Sequence, residues 1–268
     1  MFEDAASPVR AQKLAITNQK GGVGKTTTTI NLATALAAVD RRVLIIDMDP
    51  QGNASTGLGI RHSARSVNTY NILVGAQPVQ QAPIPTTVPL LDIITAVPEL
   101  SGAEIELLEF DNPQYRLRQM LTAVEHKYDY ILIDCPPSLN MLTINALVAS
   151  DAVLVPLQCE FFALEGLSQL LTTVDRVRRT LNADLDIHGI VLTMFDRRNR
   201  LSEQVAADVR EHLGTKVFET VIPRNVRVSE APSHGRPALL YDHRCAGSQA
   251  YIRLAGELLR RDKGRLAA

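Results

Sequence analysis

The 268-residue chain contains no tryptophan, and aromatic residues make up only 4% of it. A surface that grips single-stranded nucleic acid needs aromatic platforms for the bases, so this composition argues against one. Three cysteines, Cys135, Cys159 and Cys245, are odd in number and form no C-x-x-C pair. That excludes an iron–sulfur or structural zinc site and points to a reduced, cytoplasmic chain. The six histidines show no ligand spacing. No apolar run approaches the ~18 residues that read as a membrane span. The N-terminal MFEDAASPVR is acidic and polar, unlike a signal peptide. A strong net charge is missing too, since the balance is −1.

That balance hides an asymmetry. Residues 1–150 carry 11 Lys and Arg against 14 Asp and Glu, whereas residues 151–268 carry 17 against 15, and 15 of those 17 are Arg. Arginine suits phosphate oxygens because its planar fork donates in pairs, although a solvated charged face gives the same count.

With 46% hydrophobic and 21% charged residues the chain reads as globular, and its length allows one large α/β domain or two small ones. Short runs rich in Val, Ile and Leu recur: KLAIT (13–17), RVLIID (42–47), LLDIIT (90–95), YDYILID (128–134), AVLVPL (152–157) and IHGIVLTMF (187–195). Such continuous runs are expected of strands buried on both faces. Helical stretches fall between and after them, near 26–39, 113–126, 138–149, 163–181, 202–213 and 247–261. The alternation predicts an α/β fold, a mostly parallel twisted sheet with helices on both faces. One domain is expected over 13–262, with a flexible segment at 1–12 and a tail at 263–268. The five prolines of 76–98 read as a surface excursion around one strand. The segment 221–242 is too polar for a core element and reads as a functional loop.

The motif NQKGGVGKTTT (18–28) follows the first strand and opens the first helix. Strand, Gly-rich loop and helix N-terminus together make an anion site, because backbone N–H groups and the helix dipole both favour negative charge. Gly21, Gly22 and Gly24, with Val23 among them, let the main chain approach phosphates. Lys25 is placed for the β- and γ-phosphates of a nucleotide, Thr26 for Mg²⁺ and Thr27 for the α-phosphate. The usual G-x-x-x-x-G-K-[ST] pattern fails at its first position, which is Gln19, and an additional lysine, Lys20, stands five residues before Lys25.

Two further strand ends carry acids. Asp134 in ILIDCPPS fits a residue that holds Mg²⁺ through a water; it also fits a cap for the helix expected from Ser138. Asp47 and Asp49 in IIDMDPQGNAS end the second long strand, where an acid can orient an attacking water. Pro50 and Gly52 make that segment a tight loop suited to sensing a γ-phosphate.

KGGVGKTT with Lys20, DMDPQGN and ILIDCPPS, in this order, resemble the ParA/MinD family of deviant-Walker ATPases, in its ParA/Soj chromosome-partitioning branch. QCEFFALEGL (158–167) and VIPRNVRVSEAPSHGRP (221–237) resemble that branch as well, and the match runs from about residue 13 to 260. The resemblance implies a P-loop NTPase fold using ATP and Mg²⁺, and an ATP-dependent homodimer in which Lys20 reaches the partner's nucleotide. A solvated Lys20, or one contacting its own nucleotide, is the alternative. It also implies that Asp49 positions the water, Asp47 supports the Mg²⁺ shell, Pro223 and Asn225 hold adenine, and Glu160 contacts the partner's nucleotide. Arg198 and Arg227 would face nonspecific double-stranded DNA, unless they are ordinary surface ion pairs. A ParB-type centromere-binding protein would stimulate slow hydrolysis, in a cytoplasmic, nucleoid-associated setting.

Against that pattern, the short stretch before the first strand sets aside the larger plasmid type with a helix-turn-helix. The polar end LRRDKGRLAA has too few bulky apolar residues for an amphipathic membrane anchor and speaks against a MinD-like division-site ATPase. A MinD-like division-site ATPase and a ParA-like positioner of a protein cargo remain the alternatives.

Overall fold

The computed structural model describes residues 10–266. Residues 1–9 of the expected flexible segment lie outside the described residues. The first strand already begins at Gln12, and the last helix runs to Leu266, so the tail expected at 263–268 is helical over its described part.

Seven strands form one sheet: β1 (Gln12–Ile16), β2 (Val43–Asp47), β3 (Ile84–Pro85), β4 (Leu91–Ile94), β5 (Tyr130–Asp134), β6 (Ala152–Gln158) and β7 (Asp186–Thr193). Their order is β3-β4-β2-β5-β1-β6-β7. Only the β3–β4 pair at one edge is antiparallel. The six long runs read from the sequence are the six parallel strands. β3 is a two-residue strand inside the proline-rich excursion, and no hydrophobic pattern announces it.

Period-two alternation sorts each strand between two cores. On β2, Leu44 and Ile46 join one apolar cluster while Val43 and Ile45 join the other. On β5, Ile131 and Ile133 oppose Tyr130 and Leu132 in the same way. Six helices matter for the site: α1 (Lys25–Ala37), α2 (Met141–Ala149), α3 (Ala163–Thr180), α4 (Arg200–Leu213), α5 (Val226–Glu230) and α6 (Ala246–Leu266). α1 and α6 cover one face. The stripe Ala250, Tyr251, Leu254, Ala255 and Leu258 on α6 is buried against it, at the three-to-four spacing of a helix face. α2, α3 and α4 supply the other core.

Two expectations need correction. The helix expected over 113–126 is broken into a 3₁₀ turn at Pro113–Tyr115 and a short helix at Arg116–Leu121, after Asn112 takes a left-handed φ of 55°. The segment 221–242 is not merely a surface loop. Ile222, Val228, Ala231 and Ala238 are buried, and the chain there folds into three short helical pieces. Its polar residues lie between the few apolar ones that anchor it, which a window average conceals.

β5 is the middle of the functional edge, between β1 and β2. In parallel register Ile16 stands beside Asp134, and Asp134 beside Asp47. The loop leaving β1 and the acids ending β5 and β2 therefore share the C-terminal edge of three adjacent strands, where open α/β sheets hold their ligands.

Candidate nucleotide site

The loop after β1 is tied to the sheet on both sides. Buried Asn18 donates to the Pro156 carbonyl on β6 at 2.8 Å and accepts from the Lys20 N–H at 3.0 Å. The Thr193 hydroxyl at the end of β7 donates to the Val23 carbonyl at 2.7 Å. Gly22 and Gly24 take φ of +75° and +89°, which L side chains rarely adopt. Gly24 precedes α1 with no side-chain cap, so the first N–H groups of the helix remain available to an anion. Lys25 is buried, and its ammonium donates to the loop's own Lys20 carbonyl at 3.0 Å. Burial lowers its pKa, opposed by the charges of Asp134, Cys135 and Asp49.

Asp134 is fully buried. Its Oδ1 accepts from the Thr29 hydroxyl at 3.0 Å, while its Oδ2 is buried with no hydrogen-bond partner. Burial pushes Asp134 up to about 8, the neighbouring Asp47 pushes the same way, and the Thr26 and Thr29 hydroxyls oppose them. It does not cap α2. That cap is Asn140, whose side chain accepts from the Thr143 N–H at 3.1 Å, and α2 starts three residues later than expected.

Asp47 is occupied with shaping the acidic loop. Its Oδ2 accepts from the Ser55 N–H at 2.9 Å and hydroxyl at 2.7 Å, and its Oδ1 from the Asp49 N–H at 3.3 Å. Burial pushes it up to about 6 against those hydrogen bonds. Asp49 is 8% exposed and accepts from the Gln51 N–H at 3.0 Å. Behind the loop lies a residue that no sequence signal singled out. The nearly buried Arg65 guanidinium donates to the Thr56 hydroxyl, the Ala96 carbonyl and the Ile60 carbonyl, pinning 56–60 to the end of β4. Thr29 and Ser55 were missed as well. The run of four threonines at 26–29 was the signal for Thr29.

A buried carboxylate oxygen without a donor, beside a second buried acid, fits a hard divalent cation such as Mg²⁺. No group of three or more His, Cys, Asp or Glu side chains that could hold a metal alone occurs among the described residues. The donor set thus suits an ion that takes most of its ligands from phosphates and water.

The remaining expected residues fall into three places. Lys20 is exposed at the loop rim, and its ammonium is ion-paired with Glu160 just beyond β6. Pro223 and Asn225 line a narrow slot of about 90 Å³ that Gly24 and Thr27 also line, so this slot adjoins the Gly-rich loop. Asn225 caps α5, accepting from the Arg227 N–H at 2.9 Å. Arg198 and Arg227 lie outside this slot, and each is held by carboxylates.

The titration of the two acids has a thermodynamic consequence. In the nucleotide-free protein both keep protons that the unfolded chain releases near pH 4. That stability is fully present below the unfolded range and is lost as pH rises through about 6 and about 8. Asp129, Glu257 and Asp262, whose pKa values are lowered, act in the opposite sense at lower pH, and Lys25, lowered by burial, acts in the opposite sense toward the alkaline end. The nucleotide-free melting temperature is therefore expected to fall from about pH 5 to about pH 9, and Asp134→Asn to flatten that fall. A wild-type profile that rises over the same interval contradicts the assignment.

The comparisons with known proteins agree with this geometry. Residues 11–187 match the family model described as an AAA domain. A solved structure of cobyrinic acid a,c-diamide synthase from Mycobacterium smegmatis, with a bound ATP analogue and magnesium, superposes with a TM-score of 0.83 at 35% identity, covering 94% of this chain and 96% of that one. The fold is that of the P-loop ATPases. The "Chromosome partitioning protein ParA" of Caulobacter vibrioides is 62% identical over 265 residues, 98% of each chain. The "Sporulation initiation inhibitor protein Soj" of Bacillus subtilis is 55% identical over 245 residues, 91% of this chain and 97% of that one. The chain belongs to the ParA/Soj family of chromosome-partitioning proteins.

Proposed function

We propose that this chain is a Mg²⁺-dependent partition ATPase whose ATP-bound dimer holds DNA and whose hydrolysis releases it. The observation that supports this most is the unpartnered Oδ2 of buried Asp134, one strand from the loop that carries Lys25 and Thr26. Bound magnesium would supply charge neutralisation at the phosphates. Thr26 and Asp134 are the residues to hold it, with Asp47 supporting them by keeping the acidic loop in place. The loop N–H groups from Gly21 to Thr27 and the Lys25 ammonium bind the phosphate oxygens. Asp49 orients the attacking water, and Lys20 supplies positive charge to the nucleotide of a second copy, beside Glu160. Pro223 and Asn225 hold the base.

The first relative's name supports extending the reading to chromosome partition; a ParB-type protein as the activator and the nucleoid as the place of action are part of the same proposal. No helix among the described residues is long and apolar enough to cross a membrane.

The test uses Asp49→Ala protein, expected to hold ATP without turning it over. With ATP and not ADP it should co-sediment with random-sequence duplex DNA, and lose that binding steeply as salt rises. Binding to anionic liposomes without binding to DNA moves the chain to a division-site reading. Failure to bind either surface refutes the DNA partner.

A further inference from the structure

Asp49 stands in a short arch whose two ends are both tied to strand ends. At the near end the Met48 N–H donates to the Asp134 carbonyl at 3.0 Å. At the far end Gly52, with φ +61°, closes the turn by donating its N–H to the Asp49 carbonyl at 2.9 Å. Beneath Gly52 lies the Arg65 guanidinium. A Cβ on Gly52 would fall 2.5 Å from Arg65 Nη1 and 3.1 Å from the Ala96 carbonyl oxygen, so the guanidinium fills the space a larger residue would need. Nη1 donates to the Ala96 carbonyl at 3.0 Å, and Nη2 donates to the Thr56 hydroxyl and the Ile60 carbonyl, both at 2.8 Å. The Thr56 hydroxyl donates in turn to the Gly52 carbonyl at 3.0 Å. A chain of hydrogen bonds thus runs from Arg65 through Thr56 and Gly52 to Asp49. The Ala96 peptide holds the loop by both its groups. Its carbonyl takes Arg65, and its N–H donates at 3.0 Å to the Ser55 hydroxyl that binds Asp47.

We infer that Arg65 is a positioning residue for hydrolysis: its guanidinium fixes the far end of the arch and, through Thr56 and Gly52, sets where the Asp49 carboxylate stands. This role rests on the reading that Asp49 orients the attacking water. Stability alone does not call for an arginine at this place. Arg65 is 7% exposed, and among the described residues its side chain bonds only to uncharged oxygens and makes no ion pair. A guanidinium buried on neutral partners costs more than an apolar side chain of similar volume. What it supplies instead is a planar fork that holds Thr56, Ile60 and Ala96 at set separations. The Asp49 carboxylate has little else to place it. Among the described residues it accepts one hydrogen bond, from the Gln51 N–H at 3.0 Å within the same arch. Its position therefore follows the backbone, and the backbone follows the two fixed ends. A shift of about 1 Å in a group that positions a reactant costs on the order of a hundredfold in rate.

The experiment follows single-turnover hydrolysis of Mg-ATP by the full chain. Affinity for ATP, the fraction of sites that bind it and ATP-dependent dimerisation are measured on the same samples. Arg65→Met keeps the stem and removes the fork. It is expected to slow hydrolysis by about tenfold to a hundredfold, with affinity and binding fraction within a few-fold of wild type and the dimer still formed. Arg65→Lys keeps the charge but replaces the fork by one ammonium, and should recover only a small part of the rate. Gly52→Ala leaves Arg65 in place and drives its guanidinium out, which gives the same test should Arg65→Met fold poorly. Gly52→Ala and either Arg65 variant act on one contact, so the double variant should be slowed by less than the product of the two single effects. A wild-type rate in Arg65→Met or Arg65→Lys overturns the role. So does a loss of rate that only matches the loss of binding sites, which is what a residue needed for folding alone gives, and so does a double variant at the full product. Asp49→Ala is run alongside. If it is slow while the Arg65 variants are normal, only the role of Arg65 falls. If Asp49→Ala itself turns over normally, the reading of Asp49 falls and takes Arg65 with it.

Discussion

Lys25→Ala is expected to weaken ATP binding on the order of a thousandfold, the largest binding effect of any single substitution in this chain. Truncating one member of a buried, hydrogen-bonded charge pair costs about 2–5 kcal/mol, and ~4 kcal/mol corresponds to roughly three decades in affinity. Lys25 meets the conditions for the upper part of that range. It is 7% exposed, so solvent does little to replace it. Its pKa is lowered by burial, and among the described residues the only hydrogen bond of its ammonium is to a neutral carbonyl. The lysine thus stands desolvated with no carboxylate ion-pair partner among the described residues, and a phosphate anion offers it more than the folded protein does. Lys25→Arg should not rescue binding, because a planar fork cannot take the place of a compact ammonium in a loop closed on the Lys20 carbonyl. Titration calorimetry with Mg-ATP decides the point. Affinity within tenfold of wild type would sink the assignment of the loop as the phosphate site.

The strand-end acids show why part of this site is legible in the sequence. A buried parallel strand reads as an unbroken apolar run, so an acid at its C-terminal end stands out, and Asp47 and Asp134 were both visible in this way. Their adjacency was not visible. It comes from the sheet order, in which β5 inserts between β1 and β2 although more than eighty residues separate β2 from β5 in the chain. β3 was illegible for a different reason: two residues with a proline carry no period, and their pairing is decided by β4. The segment 221–242 misled because its hydrogen bonds and four buried side chains, not its mean polarity, decide its structure. Arg65 looks like any surface arginine in sequence, and only the fold supplies the carbonyls that bury it.

The second large effect is expected at Lys20. Lys20→Ala should leave ATP binding by a single subunit within a few-fold of wild type and lower turnover on the order of a thousandfold, the lower range for a charge supplied in trans to a transferring phosphoryl group. The structure separates the two lysines physically. Lys25 is buried under the loop, while Lys20 lies at the rim with its side chain 44% exposed, paired with the equally exposed Glu160. An exposed pair of this kind contributes only about 0–1 kcal/mol, so Glu160 cannot hold the ammonium against a phosphate. It can only park it. Glu160→Gln, which keeps the shape and removes the charge, should therefore not reproduce the Lys20 defect. Mixing supplies the decisive readout: Asp49→Ala subunits, with an intact Lys20 and no turnover of their own, are combined with Lys20→Ala subunits, with an intact Asp49. If Lys20 acts across the interface, the mixed dimer holds one complete site and recovers up to half of the wild-type rate. If Lys20 acts on its own nucleotide, no mixed dimer holds a complete site, and the activity stays at the level of the separate variants.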